Sequence, residues 1–192
     1  AWNGTMNVHS LSTPYDLSNA TLDADDGINW STTYAAQTRA GGSDNDVRIH
    51  GMRFNNDGTK MFLVDVNGTQ GVIEYNLSTP YLPGSASFGN FFGLGDLGSH
   101  FQDIDFDDDG TRMYVLEGKF GGTNANRIHV YKLSTGFDTS TATFAGSIAN
   151  FFDAAGGDGG PGGMHFSKDG MKFYQVSFVN DGTGNINKVF EY

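Results

Sequence analysis

One stretch of fourteen residues occurs three times, and this repetition restricts the fold more than any other feature of the chain. Gly51-Met52-Arg53-Phe54-Asn55-Asn56-Asp57-Gly58-Thr59-Lys60-Met61-Phe62-Leu63-Val64 returns as Asp103-Ile104-Asp105-Phe106-Asp107-Asp108-Asp109-Gly110-Thr111-Arg112-Met113-Tyr114-Val115-Leu116. It returns again as Gly163-Met164-His165-Phe166-Ser167-Lys168-Asp169-Gly170-Met171-Lys172-Phe173-Tyr174-Gln175-Val176. All three share Phe-x-x-Asp-Gly, a basic residue two positions on, and an apolar-aromatic run. Such a unit is a β-hairpin. Gly accepts the positive φ of the turn, Asp bonds its own backbone, and the second strand starts at the basic residue. The pairs Asp57-Gly58, Asp109-Gly110 and Asp169-Gly170 are the expected turns, and Phe54, Phe106 and Phe166 the expected repeat core.

A second motif follows each hairpin. It reads Val72-Ile73-Glu74-Tyr75-Asn76-Leu77-Ser78-Thr79-Pro80, then Ile128-His129-Val130-Tyr131-Lys132-Leu133-Ser134-Thr135-Gly136, then Val189-Phe190-Glu191-Tyr192 at the chain end. A further copy, Asn7-Val8-His9-Ser10-Leu11-Ser12-Thr13-Pro14-Tyr15, opens the chain. Each is a third strand. A fourth is expected around Ser18–Leu22, Ser85–Phe92 and Thr141–Phe152, where Asn90-Phe91-Phe92 matches Asn150-Phe151-Phe152. Four strands in roughly fifty residues is the signature of a propeller blade. The expected fold is all-β: a propeller-like array of about three four-stranded antiparallel blades plus an N-terminal half-blade. As one repeat domain over 1–192, it divides into a half-blade at 1–45 and blades at about 46–97, 98–157 and 158–192. The Gly-rich run Gly156–Gly163 reads as a loop.

The pair of motifs resembles the repeats of bacterial and phage β-propeller-type proteins, from Val8 to Tyr192. That resemblance implies a large secreted or virion-associated context and no particular chemistry.

Composition narrows the function. With a net charge of −11 and only 11 Lys and Arg, the chain is not suited to nucleic acid or to anionic membrane surfaces. No apolar run is long enough to span a bilayer, so membrane insertion is not expected. Cysteine is absent, which removes disulfides, a thiol nucleophile and thiolate zinc sites. The chain begins at Ala1 without Met or a visible signal peptide, so a mature or trimmed form is expected. The expected setting is extracellular, at a cell surface or in a virion. Asn3, Asn19, Asn29, Asn67 and Asn76 fit the glycosylation sequon.

Candidate chemistry is sparse. Asp105, Asp107 and Asp109 match the start of a calcium loop, but position twelve is Leu116 rather than Glu, and the hairpin already accounts for the stretch. Calcium is therefore the one cofactor candidate, and no firm metal site is expected. His50, His100 and His165 fall on or just before first strands, where they can approach one another. There is no Gly-x-Ser-x-Gly elbow. Loop aromatics such as Trp2, Tyr15, Trp30, Tyr34, Tyr81 and Phe137 are candidates for stacking on sugars.

In strand terms the count does not close: third and fourth strands, two full blades, then a blade lacking its fourth strand. Open sheet edges associate unless covered. Val8, Leu11, Leu17, Leu22, Val189 and Tyr192 are thus the expected assembly residues, with copies of the same chain as partners. The expected function is a non-enzymatic structural or assembly subunit of a filament, appendage or virion. The alternatives are a module binding surface glycans or a receptor, and a propeller hydrolase.

Overall fold

The computed structural model describes residues 6–23, 48–66, 70–98, 100–118, 126–149, 160–180 and 185–192. Among them, antiparallel sheets follow one another along the chain. Strands β1 (Val8–Leu11) and β2 (Ala20–Asp23) form a pair. Strands β3 (Ile49–Phe54), β4 (Lys60–Asp65), β5 (Gly71–Leu77) and β6 (Ala86–Gly93) form a four-stranded meander. A second meander holds β7 (Phe101–Phe106), β8 (Arg112–Glu117), β9 (Arg127–Leu133) and β10 (Ala142–Ala149). Strands β11 (Gly160–Phe166), β12 (Phe173–Asn180) and β13 (Asn185–Glu191) form the last sheet. Part of the Gly-rich run expected as a loop is therefore strand: Gly160–Gly163 pair with β12. Pro161 of this strand lies against Gly118, where an added Cβ would be 2.6 Å from its Cγ, so the approach requires glycine at 118.

The three hairpins close identically. The residue after the Phe accepts the N–H of the basic residue: Lys60 N to Asn55 Oδ1 at 2.8 Å, Arg112 N to Asp107 Oδ1 at 2.8 Å, Lys172 N to Ser167 Oγ at 2.9 Å. The turn glycines Gly58, Gly110 and Gly170 sit at φ +72°, +71° and +67°. Tyr81 and Phe137 lie flat on the first two turns and donate their N–H to the carbonyls of Gly58 and Gly110 at 2.9 and 3.0 Å. These two aromatics, expected to serve a ligand, instead fasten the lead-in of the fourth strand to the hairpin.

Strand β4 is buried on both faces: Met61, Phe62, Leu63 and Val64 are fully enclosed, each stabilising the fold by about 2 kcal/mol. Phe106 is buried against Phe62 and Phe137, in the core shared by the two meanders. Phe54 and Phe166, expected to be equally buried, are half-exposed. They flank that core, packing on Tyr81 and on Tyr114 and Phe173 respectively.

The first strands of successive sheets touch one another, β3 on β7 and β7 on β11. Each carries a bulge, at His50, Gln102 and Gly162. The fourth strands also bulge, at Gly89 and Ala145. Register from Leu77↔Ala86 and Leu133↔Ala142 makes Phe91 and Ser147 equivalent. Asn90–Phe92 are thus equivalent in register to Gly146–Ile148; residues 150–152, which match them in sequence, lie outside the described residues.

Candidate active site

The residue before each repeat Phe is Arg53, Asp105 or His165. Because β3, β7 and β11 lie side by side, these equivalent positions meet. Arg53 Nε is 3.1 Å from Asp105 Oδ1, and His165 Nδ1 is 3.1 Å from Asp105 Oδ2. The backbone N–H groups of Phe106 and Phe166 also donate to Asp105, each at 2.9 Å. Three hydrogen-bond donors and the Arg53 charge thus converge on its two oxygens. Arg53 further donates to the carbonyls of Ile104 and Met164, tying its sheet to the other two. Asp105 is buried, while the His165 side chain is 63 % exposed. Since a carboxylate only accepts, His165 carries its proton on Nδ1 and keeps the Nε2 lone pair free of that bond.

Two residues earlier the equivalent positions are Gly51, Asp103 and Gly163. A Cβ on Gly51 would lie 2.7 Å from Asp103 Cα, so the close approach of β3 to β7 requires glycine there. Asp103 accepts the N–H of Met164 at 2.8 Å, and burial raises its pKa above the ordinary carboxylate value.

The three side chains open into a pocket of about 930 Å³, whose rim carries Arg112, Lys168, Asp107, Asp108, Asp109 and Asp169. That volume suits a small ligand. Burial, and the nearby charge of Asp109, raise the pKa of Asp107. Hydrogen bonds from the Thr111 hydroxyl and N–H lower that of Asp109.

The calcium candidates are not brought together as a ligand set. Asp105 is engaged by Arg53 and His165, Asp107 by Arg112 N, and Asp109 by Thr111. Among the described residues no cluster of three His, Asp or Glu has metal geometry. Nor do the first-strand histidines gather: His50 pairs with Gln102 at 3.1 Å, away from His165 and Asp105. Leu11, Leu17, Leu22, Val189 and Tyr192 are exposed and Val8 half-buried. Asn76 is exposed, and the Asn19 side-chain oxygen accepts from Ser12 and Thr13. Asn3, Asn29, Asn67, Trp2, Trp30 and Tyr34 lie outside the described residues.

No protein-family model matches this chain, and no curated protein does. Solved structures do. A protein from Lactobacillus plantarum matches at 17 % identity and TM-score 0.56, over 98 % of this chain and 50 % of its own. The periplasmic gluconolactonase of Pseudomonas aeruginosa matches at 16 % and 0.54, over 98 % and 50 %. A candidate 6-phosphogluconolactonase from Bacteroides fragilis matches at 14 % and 0.55, over 98 % and 48 %. These likenesses give the chain an all-β, propeller-type fold, and it spans about half the length of the structures it matches.

They also correct the expected function. The non-enzymatic structural or filament subunit does not stand, because propellers matched over nearly the whole chain are named as lactonases. The sequence reading missed the Arg53–Asp105–His165 constellation. Its signal is a position on the first strand where three otherwise similar repeats each place a different ionisable side chain.

Proposed function

We propose that the chain works as a propeller hydrolase opening a cyclic ester of the sugar-lactone class. The observation that carries this is the convergence of Arg53, Asp105 and His165, one from each of three adjacent first strands, on a single pocket. The lactonase names of structural neighbours support the ester class. In this reading the sheets are successive blades: a half-blade, two full blades and a three-stranded one, together about half of a ring. A setting outside the cytoplasm belongs to the same proposal, supported by the periplasmic neighbour.

Asp105 orients His165 through Nδ1 and stabilises the imidazolium that forms during reaction. Water attacks the lactone carbonyl carbon while Nε2 takes its proton. The ring C–O bond breaks, the departing alkoxide takes that proton back, and a hydroxy acid leaves. Arg53 is a positioning residue that holds Asp105 across the sheet boundary. Five carboxylates (Asp105, Asp107, Asp108, Asp109, Asp169) and three basic side chains (Arg53, Arg112, Lys168) line the pocket. That balance favours a neutral lactone over a phosphorylated one.

The test is acid release from glucono-δ-lactone in a pH-stat, with purified chain against buffer alone. His165→Gln is expected to lower the enzymatic rate by about 10²–10⁴-fold. A wild-type rate no faster than buffer overturns the proposal.

A further inference from the structure

A second constellation lies in the second meander, apart from the pocket. His129 on β9 is fully buried and makes a hydrogen bond from each ring nitrogen. Nε2 is 2.9 Å from Glu117 Oε2 on β8, and Nδ1 is 2.8 Å from Ser147 Oγ on β10. The tautomer follows from elementary chemistry. A carboxylate accepts and does not donate, so the proton sits on Nε2. Nδ1 then presents its lone pair, and the Ser147 hydroxyl donates to it. An acidic group orients an imidazole whose free lone pair is aimed at a hydroxyl, which is the arrangement that activates a nucleophile.

The surroundings fit that role. Phe101 packs edge-on against His129 at 5.7 Å and Phe144 lies 6.4 Å from it, so the base is walled by aromatics. The bulge at Ala145, with Gly146 at φ +143°, sets Phe144 and Ser147 opposite Tyr131 and His129, residues on one face of β9. Bulges re-aim side chains in this way next to functional sites. Ser147 is exposed and Phe144 half-exposed beside it, so the hydroxyl is reachable and has an apolar neighbour. Gly98 makes room for the carboxylate, since a Cβ there would lie 2.1 Å from Glu117 Oε1.

The fold itself does not call for these residues. In the first meander the equivalent positions hold Asp65, Ile73 and Phe91, and the Ile73–Phe91 pair is a plain apolar contact. The second meander places His and Ser where the first places Ile and Phe, a local departure of the kind expected at a functional site.

The geometry points to Ser147 as a nucleophilic serine, activated by His129 and Glu117, that accepts acyl or phosphonyl groups with an apolar substituent lying on Phe144. In the step, Oγ bonds to the electrophilic carbon or phosphorus as its proton moves to His129 Nδ1. The leaving group departs with the bonding electrons, as fluoride from a fluorophosphonate.

The test uses the full chain and an aryl or alkyl fluorophosphonate, with the labelled residue mapped by peptide mass spectrometry. Label is expected on Ser147 and not on Ser87, an exposed serine of the equivalent strand β6. Ser147→Ala should abolish it, and His129→Gln should slow it at least about tenfold. Because His129 is buried and its variant can fail to fold, Glu117→Gln is the second arm, with slowed labelling expected at an unchanged melting temperature. Label on Ser147 no faster than on Ser87, or undiminished in both folded variants, overturns the inference.

Discussion

Arg53 holds Asp105 at 3.1 Å across the boundary between the two meanders, and the same guanidinium reaches the carbonyl of Met164 at 3.0 Å on the third sheet. Three sheets are thus joined through one fork, at the point where the proposed chemistry occurs. Asp105→Ala removes at once the ion-pair partner of Arg53 and the acceptor of His165 and of two backbone N–H groups. It is expected to destabilise the chain by about 3 kcal/mol, read as a lower urea midpoint. Arg53→Ala should cost less, because Asp105 keeps His165, Phe106 N and Phe166 N as donors.

The hairpin glycines separate two effects. Gly110 and Gly170 share a positive φ, but only at Gly110 does an aromatic ring cover the turn, 2.3 Å from an added Cβ. Around Gly170 nothing lies within 4 Å. Gly170→Ala should cost about 1 kcal/mol from the backbone conformation alone. Gly110→Ala should cost about 1–2 kcal/mol more, as Phe137 is displaced. Equal effects in denaturant titrations would show that the ring moves freely.

A buried carboxylate joins the meanders farther out. Glu74 accepts the N–H and hydroxyl of Thr139 at 2.9 and 2.7 Å and is paired with Lys60. Asn90 completes the bridge to the Thr139 hydroxyl at 2.9 Å. Glu74→Leu leaves a buried N–H without an acceptor and is expected to cost about 2–3 kcal/mol. Thr139→Val should cost about 1 kcal/mol, since the backbone bond survives. Melting temperatures in that order check the bridge.

Stability should depend on acid in two opposite ways. Asp57, Asp109 and Asp169 have pKa values lowered below 3.8 by the hydroxyl of Thr59, Thr111 or Ser167 and by a backbone N–H. A lowered folded pKa adds stability that is present above the unfolded value and lost as pH falls through the folded one. Asp103 and Asp107, raised by burial, act the other way: protonation relieves them first. Unfolding free energy should therefore hold on mild acidification and fall below pH 3.8. The triple Asp→Asn variant at positions 57, 109 and 169 should flatten that fall. An unchanged fall would place its source elsewhere.

Much of this architecture is legible in the sequence because a hairpin is a local object. Asp57-Gly58 and its two copies specify a turn whatever surrounds them. The site is less legible because its members are equivalent residues in different repeats, brought together only by the packing of β3, β7 and β11. Arg53, Asp105 and His165 each look like an ordinary strand residue until the three first strands touch. The loop aromatics misled for the opposite reason: Tyr81 and Phe137 look free in sequence, yet each covers a glycine from the preceding hairpin. Ser147 is hidden by a competing match, since Asn150-Phe151-Phe152 copies Asn90-Phe91-Phe92 in letters while register pairs Phe91 with Ser147 as equivalents.

If Glu117, His129 and Ser147 exist for chemistry rather than folding, the first meander shows how to replace His129 and Ser147 without harm. Its residues at the positions of His129 and Ser147 are Ile73 and Phe91, in the same cross-strand pairing. The double variant His129→Ile/Ser147→Phe exchanges buried His129 and exposed Ser147 for an apolar pair of known geometry. The apolar pair removes the cost of burying the imidazole without leaving a cavity. Glu117, only 12 % exposed, loses its imidazole partner, which works against that gain. The net expectation is a melting temperature within a few degrees of the parent, about 2–4 °C per kcal/mol for a chain of this size. His129→Ala alone should instead cost about 3 kcal/mol, because it opens a cavity beside Phe101 and strips Glu117 of its donor. If the double variant is as unstable as His129→Ala, the polar trio is needed by the fold. Its place in one blade is then a matter of packing rather than catalysis.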